Sequence, residues 1–396
     1  MVAARGRGAL LAILMVSVFS GCETVDAPAR VGARDSAGVV IVDHESLDGP
    51  EWTLDAEPLL NLGGAEADGP ELFFRVTAGT RFGDGRIVIL NEGDKTVRMF
   101  DATGEHLVTV GRAGEGPGDF LRLFSVWNVD RGVAVWDPRM GRVTTFGDDG
   151  AVVHITTVRG SGLPWLVSVR DNGTAVVRFD EYDFTRGNDV QPQYTYPYIA
   201  DVDGNLVDTL PRLVQQLAGL RGRQAYNPTP ASLAQMSGRG DVIWYGSNLE
   251  PELRRISPSG NVVRLIRWPR ISRRPTEEDV RARAAELADL AGGSAAVLTR
   301  FEESLLSSPI AEYFPSHGAL RVDAQMAVWM EEYRIPGETG PDKWVVFDSL
   351  GYVVGKFVRP DSVRVLDSGV DWLLGVVTDS LDIETVHLFE LRRAAG

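Results

Sequence analysis

The chain has 396 residues, 44% of them hydrophobic, enough for two or three average domains or for one repeat architecture. Its 40 Lys+Arg against 55 Asp+Glu give a net charge of −15, which excludes a general nucleic-acid binder, because such a surface repels phosphates instead of collecting them. A cationic ligand or plain solubility suits that charge better.

The single cysteine, Cys22, excludes an intrachain disulfide. Its surroundings give it a different meaning. Arg5 and Arg7 form a positive stretch, residues 9–19 are apolar but too few to span a bilayer comfortably, and Phe19-Ser20-Gly21-Cys22 places small residues before the cysteine. This resembles a bacterial lipoprotein signal with its lipobox, the alternative being an ordinary cleaved signal peptide. In lipoproteins the leader, here residues 1–21, is cut before the cysteine, whose sulfur takes a diacylglycerol and whose amino group is acylated. Each buried CH₂ adds about 0.8 kcal/mol, so several chains hold a protein firmly. Residues 22–36, rich in Ala, Gly and charge and without periodicity, are expected to be a tether. Glu23 after Cys22 carries no Asp-type inner-membrane retention signal, which points to the outer membrane.

Short strands separated by turns fill residues 37–396 and predict an all-β fold. A turn leading into a strand recurs at Gly83-Asp84-Gly85, Asp130-Arg131-Gly132, Asp171-Asn172-Gly173, Gly238-Arg239-Gly240, Val322-Asp323-Ala324 and Asp367-Ser368-Gly369. A strand ending in a polar turn closes on Gly104, Gly150, Gly204, Gly260 and Gly351, spaced by 46, 54, 56 and 91 residues. Periods near 40 to 50 with four strands each are the mark of propeller blades. A sixth copy, Val386-His387-Leu388-Phe389-Glu390, runs out before its outer strand, whereas residues 38–43 and 51–62 offer strands to spare. The expectation is a six-bladed propeller whose N-terminal segment closes the last blade.

Val110-Gly111-Arg112-Ala113-Gly114-Glu115-Gly116-Pro117-Gly118-Asp119-Phe120 ends the first unit. Its glycines could suggest a phosphate-cradling loop. Pro117 lacks an N–H, Glu115 and Asp119 repel phosphate, and a strand follows instead of a helix, so a long connection between sheets is expected. The surplus in the 91-residue gap is helical. Thr276-Glu277-Glu278-Asp279 fits a capping box, Val280, Ala284, Leu287 and Ala291 follow at helical spacing, and Gly292-Gly293 ends the run. Ser294 can cap a second helix carrying Val297, Leu298, Phe301 and Leu305. Residues 270–315 therefore predict a helical hairpin between blades four and five that covers a propeller face, with a lid or docking arm as the alternative.

Residues 86–104 resemble an NHL-type repeat, and their continuation to Phe120 resembles the bacterial six-bladed β-propeller lipoproteins (NHL-like or TolB-like). The likeness is strong at 86–120 and weak through 191–197 and 213–230. Lactonases and lyases of the wider fold hold a channel metal with paired histidines. Here His44, His106, His154, His317 and His387 fall in different units with no ligand spacing. No Gly-x-Ser-x-Gly elbow is present, and Asp201-Val202-Asp203-Gly204-Asn205 lacks the twelfth-position glutamate of a calcium loop. One constellation is left. Loops leaving the second strand of each blade carry Glu92, Asp137, Glu181, Glu331 and Asp379. They form a candidate ligand face that could hold Ca²⁺ or a small cationic ligand, although such residues also end strands by bonding nearby backbone N–H groups. The function expected is non-catalytic binding of a protein or small ligand; the alternative is a metal-dependent hydrolase or lactonase using those carboxylates.

Overall fold

The computed structural model describes residues 31–64, 66–130, 132–160, 162–181, 189–221 and 224–393; Cys22 and its leader lie outside them. The simplest unit shows why the chain folds as it does. Val76–Arg81, Ile87–Asn91, Thr96–Phe100 and His106–Val110 pair in that order, all antiparallel. Every residue of Ile87–Asn91 is buried, while His106–Val110 alternates between half-buried and exposed. A strand buried on both faces needs another sheet against each. The turn after Phe100 is built by Asp101, whose Oδ1 accepts from Thr103 N and Glu105 N at 2.8 Å each, and by Gly104 at φ +89. A Cβ on Gly104 would sit 2.8 Å from the Leu60 side chain, so the N-terminal segment packs directly on this turn.

The same meander returns as a four-stranded sheet at 125–157, as the first strands of a larger sheet at 165–226, and at 235–267. The third is irregular because the long strand Gln191–Ala200 is shared, with Leu206–Thr209 pairing one half and Leu213–Arg221 the other. A nine-stranded sheet holds residues 320–358 and 363–393. The core lies in clusters between successive sheets. Val88, Leu90 and Val97 meet Val133, Val135 and Phe146; farther round, Trp244 and Leu253 meet Val328 and Phe347. Ile87, Ile89 and Phe100 meet Leu374, Val376 and Val386, which brings the last sheet against the first. The chain is a β-propeller.

The N-terminal segment divides among three places. Leu60–Gly63 pairs with Glu384–Arg393 and supplies the missing outer strand. Glu51–Leu54 lies between Val353–Val358 and the end of Glu384–Arg393, which merges two sheets into the nine-stranded one. Val39–His44 departs from expectation: it runs parallel to Val262–Arg267, whose outer edge would otherwise present unpaired N–H and C=O groups. Val31–Ser36, expected to be tether, folds back on it as a further strand.

Helices α1 (Glu277–Leu290) and α2 (Ala295–Leu306) follow Val262–Arg267 and precede Leu320–Val322. The capping box forms, with Thr276 N donating to Asp279 Oδ2 at 2.8 Å, and Ser294 caps α2. Val280, Ala284 and Ala288 of α1 are buried, whereas no residue of α2 is.

Candidate functional site: the open end of the central channel

The innermost strands of the sheets surround a cavity of about 680 Å³ whose two ends differ. At the end where these strands finish, side chains reach from sheet to sheet. Arg239 donates to Asp367 Oδ1 at 2.9 Å and Oδ2 at 3.3 Å, while Thr80 Oγ1 donates to Asp367 Oδ2 at 2.8 Å. Asn128 Nδ2 donates to Arg81 O, Ser168 Oγ to Gly240 O and Trp127 Nε1 to Gly238 O. The innermost strands Val76–Arg81, Ser125–Val129, Trp165–Val169, Gln235–Arg239 and Val363–Ser368 are joined by these bonds. That end is sealed. Nearby, burial pushes the Asp323 carboxyl up, even though Trp329 Nε1 and two backbone N–H groups donate to it.

The other end is open. Segment 121–124, which leads into Ser125–Val129, is fixed by its backbone. Asp137 Oδ2 accepts from Leu121 N and Arg122 N at 2.7 and 3.0 Å, Glu92 Oε2 accepts from Leu123 N at 2.7 Å, and Trp136 O accepts from Phe124 N at 3.1 Å. Four successive N–H groups are thus satisfied, and Leu123 is buried between the sheets. The alternate side chains, Arg122 and Phe124, project at the channel mouth. Phe124 meets Trp165 edge-on with centroids 6.1 Å apart, Arg122 lies 5.8 Å from the Phe124 ring, and Arg178 lies 5.7 Å from the Trp165 ring. Both rings keep substantial exposure, 38% and 40%, which is costly for aromatic surface unless something covers it.

Five arginines and two aspartates line the channel. Arg321 donates to Leu366 O and Val365 O, and burial together with the neighbouring Arg364 pushes its pKa down. Arg364 is paired with Glu384, Arg178 with Asp180, and Arg239 with Asp367. A contiguous recess of about 440 Å³ shares Thr77 and Arg122 with the channel and adds Arg75, Lys95 and Arg139 around Glu92. Lys95 is paired with Glu92. Among the described residues, no carboxylate pairs with Arg75, Arg122 or Arg139. Arg75 also sits at φ +58, a left-handed conformation that costs an L residue roughly 1–2 kcal/mol. Gly93 N donates to Phe74 O across that bend, and a Cβ on Gly93 would lie 2.6 Å from the same oxygen.

The carboxylates picked out from sequence lie at the ends of second strands, and Glu92, Asp137, Glu331 and Asp379 accept from backbone N–H groups there. Glu92 and Asp137 hold segment 121–124, and Asp137 Oδ1 also accepts from Arg139 N at 2.9 Å. Glu331 Oε2 accepts from Ala319 N, and Asp379 Oδ1 from Leu381 N and Ile383 N. Glu181 is exposed at the end of Ala175–Glu181. The histidines are likewise separate: His44 bonds Gly351 O, His154 bonds Val202 O, and His317 Nδ1 donates to Gly318 O. Among the described residues no group of three or more His, Cys, Asp or Glu is arranged to hold a metal ion. Sequence reasoning missed Arg75, Arg122, Arg139, Phe124 and Trp165, which are scattered over ninety residues. The one available signal was the alternation of Arg122 and Phe124 beside the buried Leu123.

No protein-family model matches this sequence, and no curated protein does either. Solved structures match in fold. A putative exported protein from Bacteroides fragilis is 11% identical with a TM-score of 0.51, the match covering 90% of this chain and all of that one. A DUF4221 family member from Bacteroides vulgatus is 10% identical with a TM-score of 0.50, covering 88% and 100%. At these identities the likeness concerns the fold alone.

Proposed function

We propose that this chain is a six-bladed propeller, lipid-anchored through Cys22 to the outer membrane of a bacterial envelope, that binds a ligand or protein without catalysis at the open face of its channel. The blade count follows if the nine-stranded sheet is divided at Glu51–Leu54, giving units at 76–110, 125–157, 165–226, 235–267, 320–358 and 363–393, each starting with a channel-lining strand. Helices α1 and α2 are then an insertion between the fourth and fifth blades. The anchor rests on the lipobox at Phe19-Ser20-Gly21-Cys22; no described helix is long and apolar enough to cross a membrane.

The observation that carries the binding reading is the difference between the channel ends, one stitched shut and the other presenting exposed rings and unpaired guanidiniums, with Arg122 and Phe124 on a segment fixed by its backbone. Rigid, pre-formed concavities with a few polar groups are what ligand sites require. The hydrolase or lactonase alternative has less support, because Glu92, Asp137 and Glu331 accept from backbone N–H groups and, among the described residues, are not grouped to hold a metal ion. A calcium titration by calorimetry and a substrate screen on the chain from Glu23 onward test the reading. Ligand binding without turnover supports it; turnover that disappears in Glu331→Gln overturns it.

A further inference from the structure

We infer that the open mouth takes a small organic anion whose charged head sits among Arg75, Arg122 and Arg139 and whose flat apolar part lies against Phe124 and Trp165. This deepens the binding reading above and rests on it.

Three arginines without a carboxylate partner among the described residues line one 440 Å³ recess, and Glu92, the carboxylate they share it with, already accepts from Lys95 Nζ and from Leu123 N at 2.8 and 2.7 Å. Guanidiniums held near one another repel, and an anion relieves that repulsion while accepting their N–H groups in pairs. A compact phosphate- or carboxylate-type head suits such a fork.

The second observation is independent of charge. Phe124 and Trp165 are exposed at the adjoining channel mouth, each with an arginine near its ring. A ring stacked there gains dispersion and apolar burial from both aromatics. Arg122 belongs to both cavities and touches Phe124, so head and ring belong to one molecule of modest size. The backbone bonds that fix residues 121–124 mean that little ordering is needed on binding.

Glu92 and Asp137 are thereby positioning residues. They hold the segment that presents Arg122 and Phe124, and the ligand meets a positive surface made by negative residues behind it.

Calorimetry on the mature chain carrying Cys22→Ser tests this with naphthalene-2-phosphonate, and with naphthalene-2-methanol, naphthalene-2-methylammonium and methylphosphonate as comparators. The phosphonate is expected to bind at least about tenfold tighter than each comparator, to weaken as salt rises, and to quench tryptophan emission. Arg122→Ala and Trp165→Ala should each weaken it by about tenfold with unchanged circular dichroism, and Trp165→Phe should recover most of the loss. Equal binding of the alcohol or the ammonium compound at Trp165 overturns the anion assignment while leaving the open face as a binding site. Absence of phosphonate binding, or binding indifferent to both Arg122→Ala and Trp165→Ala, overturns the inference outright. Failure of the underlying binding reading shows differently, as turnover in the substrate screen.

Discussion

The two ends of the channel use the same residue types to opposite effect. At the sealed end Arg239 finds Asp367 and Thr80 across the cavity, so charge is consumed in holding sheets together. At the open end Asp137 gives its oxygens to backbone N–H groups and Glu92 divides its own between Leu123 N and Lys95 Nζ, so Arg75, Arg122 and Arg139 are left without a carboxylate among the described residues. What differs is whether an acid reaches the cation or the chain behind it. The first arrangement builds a strut, the second a docking surface.

The largest expected effect is at the strut. Asp367→Ala leaves Arg239 without its carboxylate in a site where the two side chains are 16% and 8% exposed. Removing one partner of such a pair costs about 3–5 kcal/mol, which denaturant unfolding would register; a loss under about 1 kcal/mol would mean that the end is not sealed by this contact.

An intermediate effect sharpens what the open face consists of. His317 lies buried just before Leu320–Val322, its Nε2 without a partner and 2.1 Å from where a Cβ on Gly246 would be. Burial, opposed only by the Gly318 carbonyl, pulls its pKa down to about 4. The unfolded chain, with a histidine pKa near 6.5, therefore binds the proton more readily. Stability is whole above about pH 6.5, declines as pH falls, and by about pH 4 has lost on the order of 3 kcal/mol. Unfolding curves between pH 7 and 4 should show this slope, and His317→Gln should flatten it.

The smallest expected effect belongs to the docking surface itself. Arg122→Ala removes an exposed, unpaired side chain and should change stability by no more than about 0.5 kcal/mol, in contrast with Asp367→Ala. A clear loss of thermal stability would show that Arg122 supports the fold, and would erase the distinction between the ends.

Local residue preferences dictate the individual units. The turns at Gly104, Gly150, Gly204, Gly260 and Gly351 and the capped helices after Thr276 are written in residue types whose preferences act over a few positions, so the repeat and the closing role of Leu60–Gly63 were legible. Residues 38–43 were legible as a strand but not as a neighbour of Val262–Arg267, because any unpaired edge satisfies a strand equally well until the sheets are arranged in space. Glu92, Asp137, Glu331 and Asp379 were legible as the ends of second strands, and they lie there. Asp379 turns to its own local backbone, but the direction of Glu92, Asp137 and Glu331 was decided by the tertiary structure, where a backbone N–H from another segment lies within about 3 Å. The convergence of Arg75, Arg122 and Arg139 was decided there too, since a ring of sheets brings together residues that no spacing along the chain relates.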